Sequence, residues 1–575
     1  MPDEKKKPSR KTPTRAQSTT PLNTPTPRAR STRKVPRAIE PSPEQTQPAP
    51  LAEPATPAPA PAKPRSRTPK KSAPPKASNG RAEAAAATVA NKLSIVMVTP
   101  EAHPFAKTGG LAEVAGALPD ALNRLGHDVT IIVPRYRGIP IKDARSLDLV
   151  VPMGSISQRA IVHEMRVGER VTAALIDIPQ LFDREGLYGT AAGDFPDNAW
   201  RFAVFSRAAL EYLRARGERP SIIHAHDWQT GLVPVYQKML FSNDPVVGGV
   251  PVVFTIHNLA FQGNFPSSVL PHIGLGWDVF VPDALEFWGQ VSYLKGGVNF
   301  SEKITTVSPT YAREILQPEF AFGFQGVLAR RADDLLGIVN GIDTVRWNPE
   351  QDPFVPASYS ADQLEAKAEA KAALLREVKL PVDDEALRRP VIGLVSRLTD
   401  QKGFDLIGAA AGELMALDAT WVVLGSGERH YEDLWRTMAR RHPDRVSATI
   451  GFDERLAHLI EAGSDLFLMP SRWEPCGLNQ LYSLRYGTVP IVRATGGLED
   501  TVQDYDPASS AGTGFKFRDY SAPAMVAAIR RALAVYPDRT AWRRIQQAGM
   551  RQDPSWDASA REYVKVYEVA SGGPQ

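Results

Sequence analysis

Three loops of this chain combine glycine with charged side chains, as proteins do where they hold phosphate and sugar groups. The first, Lys107–Leu111, places a lysine before Gly109 and Gly110. Two glycines let backbone N–H groups approach a ligand closely, and the start of the next helix favours an anion. The loop is neither a dinucleotide fingerprint nor a Walker loop, whose lysine follows its glycines. It predicts phosphate binding, against the plainer alternative of a tight turn with a surface lysine.

The second loop, Ser396–Gly403, follows the first predicted strand of the second half of the chain. Arg397 offers a planar fork of donors that suits a phosphate, and Lys402 adds a mobile point charge. Two solvated surface cations are the alternative interpretation. The matching position of the Lys107 loop in the first half favours the phosphate-binding interpretation.

The third loop, Pro470–Gln480, carries Glu474 after a predicted strand. A carboxylate there can hold sugar hydroxyls or stabilise positive charge at an anomeric carbon, and Gly477 helps to shape a loop that presents N–H groups. Trp473 is interpreted as packing rather than as a sugar platform. Cys476 has no His or Asp close in sequence that would mark it as a nucleophile, and a small buried residue is the alternative.

Histidine and aspartate cluster at the ends of two further predicted strands, in His224–Trp228 and Thr255–Asn258. The spacing is neither His-x-x-x-His on a helix nor a Cys/His set, which argues against a metal site. Hydrogen bonding to sugar hydroxyls is the favoured interpretation. One of His224 and His226 is expected to point into the structure.

Short apolar runs predict the strands that position these loops. A helix is predicted at Leu111–Leu125 and another at 361–377. The predicted strands are Leu93–Thr99, Val129–Val133, Ser221–Ala225, Val252–Ile256, Lys303–Val307, Val391–Val395, Thr420–Leu424, Asp465–Met469 and Val489–Val492. Alternation of strand and helix is typical of doubly wound parallel sheets, whose ligands bind beyond the carboxyl ends of the strands.

The predicted fold class is therefore α/β, with two Rossmann-like domains facing across a cleft. The predicted boundaries give a first domain at 91–340, a second at 341–555 and a C-terminal helix at 556–575 that crosses back to the first domain. At 575 residues the chain is longer than one hydrophobic core usually serves. Its one cysteine excludes an internal disulfide.

Residues 1–90 hold 19 of the 50 prolines and carry 18 Lys or Arg against 6 Asp or Glu. Such a stretch buries too little apolar surface to offset its ordering entropy, so a disordered tail is predicted. The tail is basic by 12 charges, so the remaining residues sum to −8 within the total of +4. A mildly acidic body argues against a nucleic-acid partner, and no apolar run predicts a membrane span.

Taken together, these motifs resemble bacterial glycogen synthases and plant starch synthases, which are glycosyltransferases of the GT-B fold class. The likeness runs in order from about residue 93 to 570 and leaves only the tail unmatched. The matching segments are 107–111, 224–228, 255–263, 306–315, 339–343, 396–403, 474–478 and 495–502.

The resemblance implies transfer of glucose from ADP-glucose to the non-reducing end of an α-1,4-glucan, with the two domains closing over the donor. It places Arg397 and Lys402 on the donor phosphates and Glu474 beside the transferred glucose. It further implies donor contacts for a set of loop and cleft residues, namely Lys107, Gly109, Gly110, Tyr188, Asp227, Asn340, Phe452, Cys476, Gly477 and Leu478. Three positions depart from the family pattern: Glu113 for Asp, Phe452 for Tyr and Asn479 for Thr.

The sequence supports the hypothesis of transfer with retention of configuration and without a metal or other cofactor. Arg397 and Lys402 would stabilise the departing ADP, and His257 would orient the sugar. Tyr482 stands eight residues after Glu474, where some relatives carry a second Glu. Front-face attack is therefore favoured over a covalent glycosyl-enzyme, which needs a second carboxylate.

Other interpretations remain open at this point. The nearest is another GT-B glycosyltransferase that uses UDP-glucose. A nucleotide-dependent oxidoreductase lacks its Gly-x-Gly-x-x-Gly after strand one, and a non-enzymatic glucan-binding protein would be expected to lose Glu474 or Lys402. A cytoplasmic bacterial location is predicted, with a plastid transit function of the tail as the minor alternative.

Overall fold

The computed structural model describes residues 92–190 and 193–573. The predicted disordered tail, 1–90, lies outside this described part. The first lobe is built around a nine-stranded sheet in the order β14-β13-β9-β8-β1-β2-β5-β4-β3. Its strands and those of two small accessory sheets are β1 (Ser94–Val98), β2 (Asp128–Pro134), β3 (Arg145–Met153), β4 (Ile156–Arg166), β5 (Val171–Asp177), β6 (Gly189–Thr190), β7 (Gly193–Asp194), β8 (Ile222–His226), β9 (Val252–Ile256), β10 (Asn264–Pro266), β11 (Glu286–Phe287), β12 (Gln290–Ser292), β13 (Lys303–Thr306) and β14 (Leu335–Gly337).

The second lobe is built around a six-stranded sheet in the order β17-β16-β15-β18-β19-β20, in which every pairing is parallel. Its strands are β15 (Val391–Val395), β16 (Thr420–Gly425), β17 (Val446–Ile450), β18 (Leu466–Met469), β19 (Val489–Arg493) and β20 (Phe515–Phe517). The inner strands β15, β16, β18 and β19 are short and largely apolar, as burial between helices on both faces requires.

Helices separate the strands and cover both sheets. They are α1 (Gly110–Arg124), α2 (Pro179–Phe182), α3 (Asn198–Arg216), α4 (Leu232–Leu240), α5 (Tyr293–Phe300), α6 (Pro309–Glu314), α7 (Gln325–Ala329), α8 (Lys367–Glu377), α9 (Asp384–Arg388), α10 (Phe404–Met415), α11 (Arg429–Arg441), α12 (Glu454–Gly463), α13 (Asn479–Arg485), α14 (Gly496–Thr501), α15 (Ala522–Val535), α16 (Arg539–Met550) and α17 (Trp556–Ala570). No helix in the described part of the chain is both long and apolar enough to cross a membrane.

The last helix, α17, packs on the first lobe although it follows the second lobe in sequence. Tyr563 and Tyr567 are buried in the core cluster that contains the apolar face of α1. Arg124 on α1 pairs with Asp557 through Nε at 2.8 Å, and Ser559 donates to the carbonyl of Val339 at 2.7 Å. The chain therefore passes from the first lobe to the second and returns.

The predicted α/β class is confirmed: the second sheet is parallel, the first is parallel except at one edge, and the nine predicted strands match observed strands within about two residues. The antiparallel β3–β4–β5 edge of the first sheet was not predicted, because its strands alternate polar and apolar residues and give no continuous apolar run. The predicted helix 361–377 is wrong in its first turn and a half. There, Ser360 and Gln363 exchange backbone hydrogen bonds in a turn, and α8 begins only at Lys367.

Candidate functional site

The loop after β18, residues 470–478 and here called the glutamate loop, buries the carboxylate of Glu474. Its Oε2 accepts hydrogen bonds from Lys402 Nζ at 2.6 Å and from Ser471 Oγ at 2.9 Å. Glu474 is only 5% exposed, so its charge depends on these partners. A lysine and a carboxylate from two different strand ends are thereby joined at one point.

Gly403 explains how Lys402 reaches Glu474. Gly403 has φ +79°, and a Cβ there would lie 2.1 Å from the Pro470 carbonyl oxygen. Only glycine permits both the left-handed backbone and this approach. The turn that carries Lys402 is therefore packed directly on the start of the glutamate loop.

Arg397 adds a second cation to this group. It is exposed to solvent, and its Nη2 lies 3.4 Å from Gln401 Oε1. The surrounding protein lowers the pKa of its guanidinium, while the nearby Glu474 carboxylate acts in the opposite sense. Arg397, Lys402 and Glu474 thus form one electrostatic group, as their positions at strand ends predicted.

The glutamate loop continues into Cys476, Gly477 and Leu478. Burial raises the pKa of the Cys476 thiol to about 12, although the backbone N–H of Asn340 opposes the shift. The thiol therefore stays protonated and is no nucleophile at neutral pH. Gly477 has φ +73°, and Leu478 packs beside Ile342. The Asn340 side chain is buried, and its Oδ1 has no hydrogen-bond partner among the described residues.

The corresponding loop of the first lobe, residues 107–110 and here called the lysine loop, is open. Lys107 pairs with the carboxylate of Glu113 and is 43% exposed in its side chain. A Cβ added at Gly109 or Gly110 would meet no atom within 4 Å. Neither glycine has a positive φ, so the fold itself does not require glycine at either position. The open space suits close approach by a bound group.

A buried carboxylate that the sequence analysis did not single out supports the lysine loop. Glu101 accepts from the N–H of Thr108 at 2.6 Å and from Tyr188 Oη at 2.6 Å. The sequence offered a signal for this role, because an acidic residue three positions after a buried strand needs hydrogen-bonding partners. Tyr188 is consequently buried in the first lobe, where its ring packs on Phe202 at 5.8 Å.

The two aromatic residues among the expected donor contacts have different environments. Tyr188 is buried with its hydroxyl on Glu101, whereas Phe452 follows β17 and is 60% exposed. Of this pair, Phe452 offers the exposed ring face.

A charged cluster links the lysine loop to the second lobe. Arg346 bonds the carboxylate of Glu454, at the start of α12. Burial alone would raise the pKa of Glu454, but Arg346 outweighs it and the pKa is lowered, with a smaller contribution from Lys107. Lys107 therefore lies within electrostatic range of α12. Sequence reasoning missed Arg346 and Glu454, because an ion pair between residues more than a hundred positions apart leaves no local pattern.

The histidine and aspartate residues at the ends of β8 and β9 form a packed group. His226 Nδ1 and His257 Nε2 lie 3.1 Å apart. His224 bonds Thr255 at 2.6 Å and Tyr567 at 2.9 Å, so both of its nitrogens are satisfied. Burial lowers the pKa of His257 to about 3, and this imidazole is neutral at physiological pH.

Asp227 lies beside these histidines in a strained conformation. Its φ of 56° and ψ of 179° fall in a region that few residues other than glycine adopt, and such strain is found mostly at functional sites. Its Oδ1 accepts the His257 N–H at 2.7 Å. Burial raises the pKa of Asp227 to about 7, against the effect of the His257 and Asn258 N–H groups.

Two further contacts join the lobes beside the glutamate loop. Glu314, at the end of α6, accepts from Thr495 Oγ1 and from the Gly496 N–H, each at 3.0 Å. Thr310 donates to Asp500 from its N–H at 2.9 Å and from Oγ1 at 2.6 Å. These residues belong to segments 306–315 and 495–502, which match the family but for which the sequence indicated no role.

Two of the residues that differ from the family pattern make contacts in the structure. Glu113 binds Lys107, and Asn479 Nδ2 donates to the carbonyl of Val395 at 2.7 Å, which ties α13 to β15.

Among the described residues, Asp400, Glu428 and His430 bring potential metal-ligand atoms within 4.8 Å of one another. Asp400 accepts a hydrogen bond from Tyr431 Oη and is exposed. We assign no function to these three residues.

Comparison with known proteins finds two matching family models. The starch synthase catalytic domain matches residues 94–330, and glycosyl transferases group 1 matches residues 377–548. A glycogen synthase of Anaeromyxobacter dehalogenans (strain 2CP-C) is 51% identical over 480 residues, covering 83% of this chain and 99% of that protein. A glycogen synthase of Koribacter versatilis (strain Ellin345) is 47% identical over 480 residues, covering 83% and 98%.

A solved structure also matches. The catalytic domain of starch synthase IV from Arabidopsis thaliana, bound to ADP and acarbose, is 36% identical with a TM-score of 0.77. The match covers 84% of this chain and all of that domain.

Proposed function

The chain belongs to the glycogen synthase family, as the motifs indicated, and from this premise we propose how it works and on what substrates. It is a glycosyltransferase of the GT-B fold class. The proposed reaction moves glucose from ADP-glucose to the non-reducing end of an α-1,4-glucan with retention of configuration. ADP in the related starch synthase structure supports the choice of donor.

One observation carries the proposed mechanism, namely the 2.6 Å contact between Lys402 Nζ and Glu474 Oε2 with Arg397 beside it. When the bond between glucose and ADP breaks, negative charge develops on the departing diphosphate. Fixed cations that are already oriented stabilise such charge at little reorganisation cost. In the proposal, Arg397 and Lys402 bind the diphosphate while Glu474 holds the transferred glucose.

We favour front-face attack, in which the leaving phosphate accepts the proton of the acceptor hydroxyl. A covalent route requires a carboxylate nucleophile, and the eighth residue after Glu474 is Tyr482. Its ring stacks on Trp347 at 3.8 Å. Burial, aided by the Glu113 carboxylate, raises the pKa of the Tyr482 hydroxyl well above its ordinary value, so it stays protonated.

The remaining predicted site residues are proposed to bind and orient the donor. Lys107 with Gly109 and Gly110 would receive the phosphates at the start of α1. The neutral imidazole of His257 would hydrogen-bond a sugar hydroxyl. We assign the other donor contacts, again as proposals, to Tyr188, Asp227, Asn340, Phe452, Cys476, Gly477 and Leu478.

We also propose the predicted boundaries as the domain division, with the acceptor on the first domain and the nucleotide sugar on the second. A cytoplasmic bacterial location and the absence of a nucleic-acid partner belong to the same proposal. The bacterial origin of the glycogen synthase relatives supports the location.

The proposal is tested by following glucose incorporation into glycogen from ADP-glucose and from UDP-glucose, with NMR of the new linkage. ADP-glucose is expected to give the higher kcat/KM by at least about tenfold and an α-1,4 bond. A preference for UDP-glucose would favour the alternative, another GT-B enzyme. Absence of glucan products from either donor, or an inverted linkage, would reject the proposed function.

A further inference from the structure

Two turns of the first lobe each hold an aromatic residue in the left-handed backbone region, followed by glycine. Trp288 has φ 52° before Gly289 with φ 80°, and Phe322 has φ 48° before Gly323 with φ 89°. Bulky residues rarely adopt positive φ, and strain of this kind is kept mostly where function requires it. Trp288 is also 82% exposed, so packing in the core does not explain why an aromatic residue occupies this position.

The protein nevertheless fixes the Trp288 turn firmly. The Gly289 N–H donates to Glu286 Oε1 at 2.7 Å. The preceding ring, Phe287, is buried and packs on Phe324 with centroids 4.4 Å apart. A Cβ on Gly323 would lie 3.4 Å from the indole Nε1. The indole is therefore held beside the Phe322–Gly323 turn.

This aromatic surface continues to the glutamate loop. The Phe322 ring lies 5.5 Å from the Trp473 ring at 70°, and Trp473 directly precedes Glu474. The carbonyl of Phe322 accepts from Gln262 Nε2 at 3.0 Å. Gln262 follows β9 and His257 along the chain. Phe322 thus connects Trp288 both to the glutamate loop and to the loop that follows β9.

We propose that Trp288 is an acceptor subsite, on which the apolar face of a glucose unit of the α-1,4-glucan stacks beyond the reacting end. This inference rests on the proposed function. A pyranose ring presents C–H groups on one face and hydroxyls at its edge. An exposed indole on an ordered turn suits such a face, because stacking a sugar on it removes apolar area from water.

The test compares Trp288→Ala with Trp277→Ala, which removes another exposed tryptophan of the same lobe, 57% exposed. Kinetics are measured with maltotriose, maltoheptaose and glycogen as acceptors. For Trp288→Ala, KM for the long acceptors is expected to rise about three- to tenfold, the scale of one lost aromatic contact. KM for ADP-glucose and kcat should stay near wild type, and Trp288→Phe should restore most of the loss. Equal behaviour of the two alanine variants on maltoheptaose and glycogen would overturn the inference.

Retardation in native gels that contain glycogen separates this inference from the proposed function. If the wild type transfers no glucose but is retarded, and Trp288→Ala is not, the proposed function fails and the glucan subsite stands. If retardation does not depend on Trp288, the subsite fails whatever the enzyme activity. Light scattering that shows Trp288→Ala breaking an oligomer, without any effect on glucans, would mark the ring as a protein contact and also overturn the proposal.

Discussion

The lysine loop of the first lobe and the glutamate loop of the second both follow strands of parallel sheets, yet the protein fixes them to different extents. In the second lobe, glycines are required by the fold. A Cβ would lie 2.1 Å from the Pro470 carbonyl oxygen at Gly403 and 1.9 Å from the Glu474 carbonyl oxygen at Gly496. In the first lobe, a Cβ on Gly109 or Gly110 would meet no atom of the described residues within 4 Å.

The carboxylates of the two lobes differ in the same way. Glu474 is bonded to Lys402, so a cation balances its buried charge. Asp227 accepts the backbone N–H of His257, and its raised pKa reflects burial that this bond does not offset. We infer that the second lobe is assembled before any ligand binds, whereas the first lobe is completed by the donor.

Removing a cation from the preassembled lobe should have the largest effect. Lys402→Ala and Arg397→Ala are each expected to lower kcat about 10²–10³-fold, because each removes a fixed group that stabilises the developing diphosphate charge. Steady-state kinetics at saturating ADP-glucose and glycogen provide the measurement. Arg440→Ala, at an exposed arginine on α11, is the control and should leave kcat unchanged. Wild-type kcat in both cleft variants would reject the assignment.

Alanine at glycines of the two loops should separate folding from binding. Gly403→Ala is expected to cost about 2–4 kcal/mol of unfolding free energy, because φ is +79° and the Cβ would meet Pro470. Gly109→Ala should change stability by less than about 0.5 kcal/mol while raising KM for ADP-glucose about tenfold. Urea unfolding and donor kinetics measure the two effects. If both variants lose stability equally, the lysine loop is as rigidly packed as the glutamate loop and the comparison fails.

Asp227→Asn should change the stability by an amount that depends on pH. The pKa of native Asp227 is about 7 against an ordinary 3.8, so between these values the native state holds a proton that the unfolded state has released. The stability contribution of Asp227 is therefore present below about pH 4 and falls as pH rises towards 7. Relative to wild type, Asp227→Asn should gain about 4 kcal/mol between pH 4 and pH 8, because each unit of the pKa difference is worth about 1.4 kcal/mol.

The matched variant for that prediction is Glu474→Gln in the other lobe. It leaves Lys402 without its carboxylate partner and should lose stability at pH 8 rather than gain it. Urea unfolding at a series of pH values gives both comparisons. A constant difference between Asp227→Asn and wild type across the range would show that Asp227 titrates normally.

The sequence was sufficient to predict the strands that carry the chemistry. Apolar runs such as Val391–Val395 and Val252–Ile256 coincide with β15 and β9, because strands buried on both faces need continuous apolar residues. Position at a strand end then indicated that Arg397, Lys402 and Glu474 share one edge of a sheet. The antiparallel edge strands and the start of α8 escaped prediction, because alternating residues and an Ala/Glu/Lys-rich segment specify a structure only together with their neighbours.

What the sequence determined by itself was therefore local, namely element type, the loops at the strand ends, and the motifs that place the chain in its family. The tertiary structure alone decided which distant groups meet. Arg346 against Glu454 and Glu314 on the α14 N–H group are pairs that no spacing along the chain encodes. It also decided that Trp288 stays exposed beside Phe322. Contacts between distant segments depend on how the sheets and helices pack, and packing is a property of the whole fold rather than of any one segment.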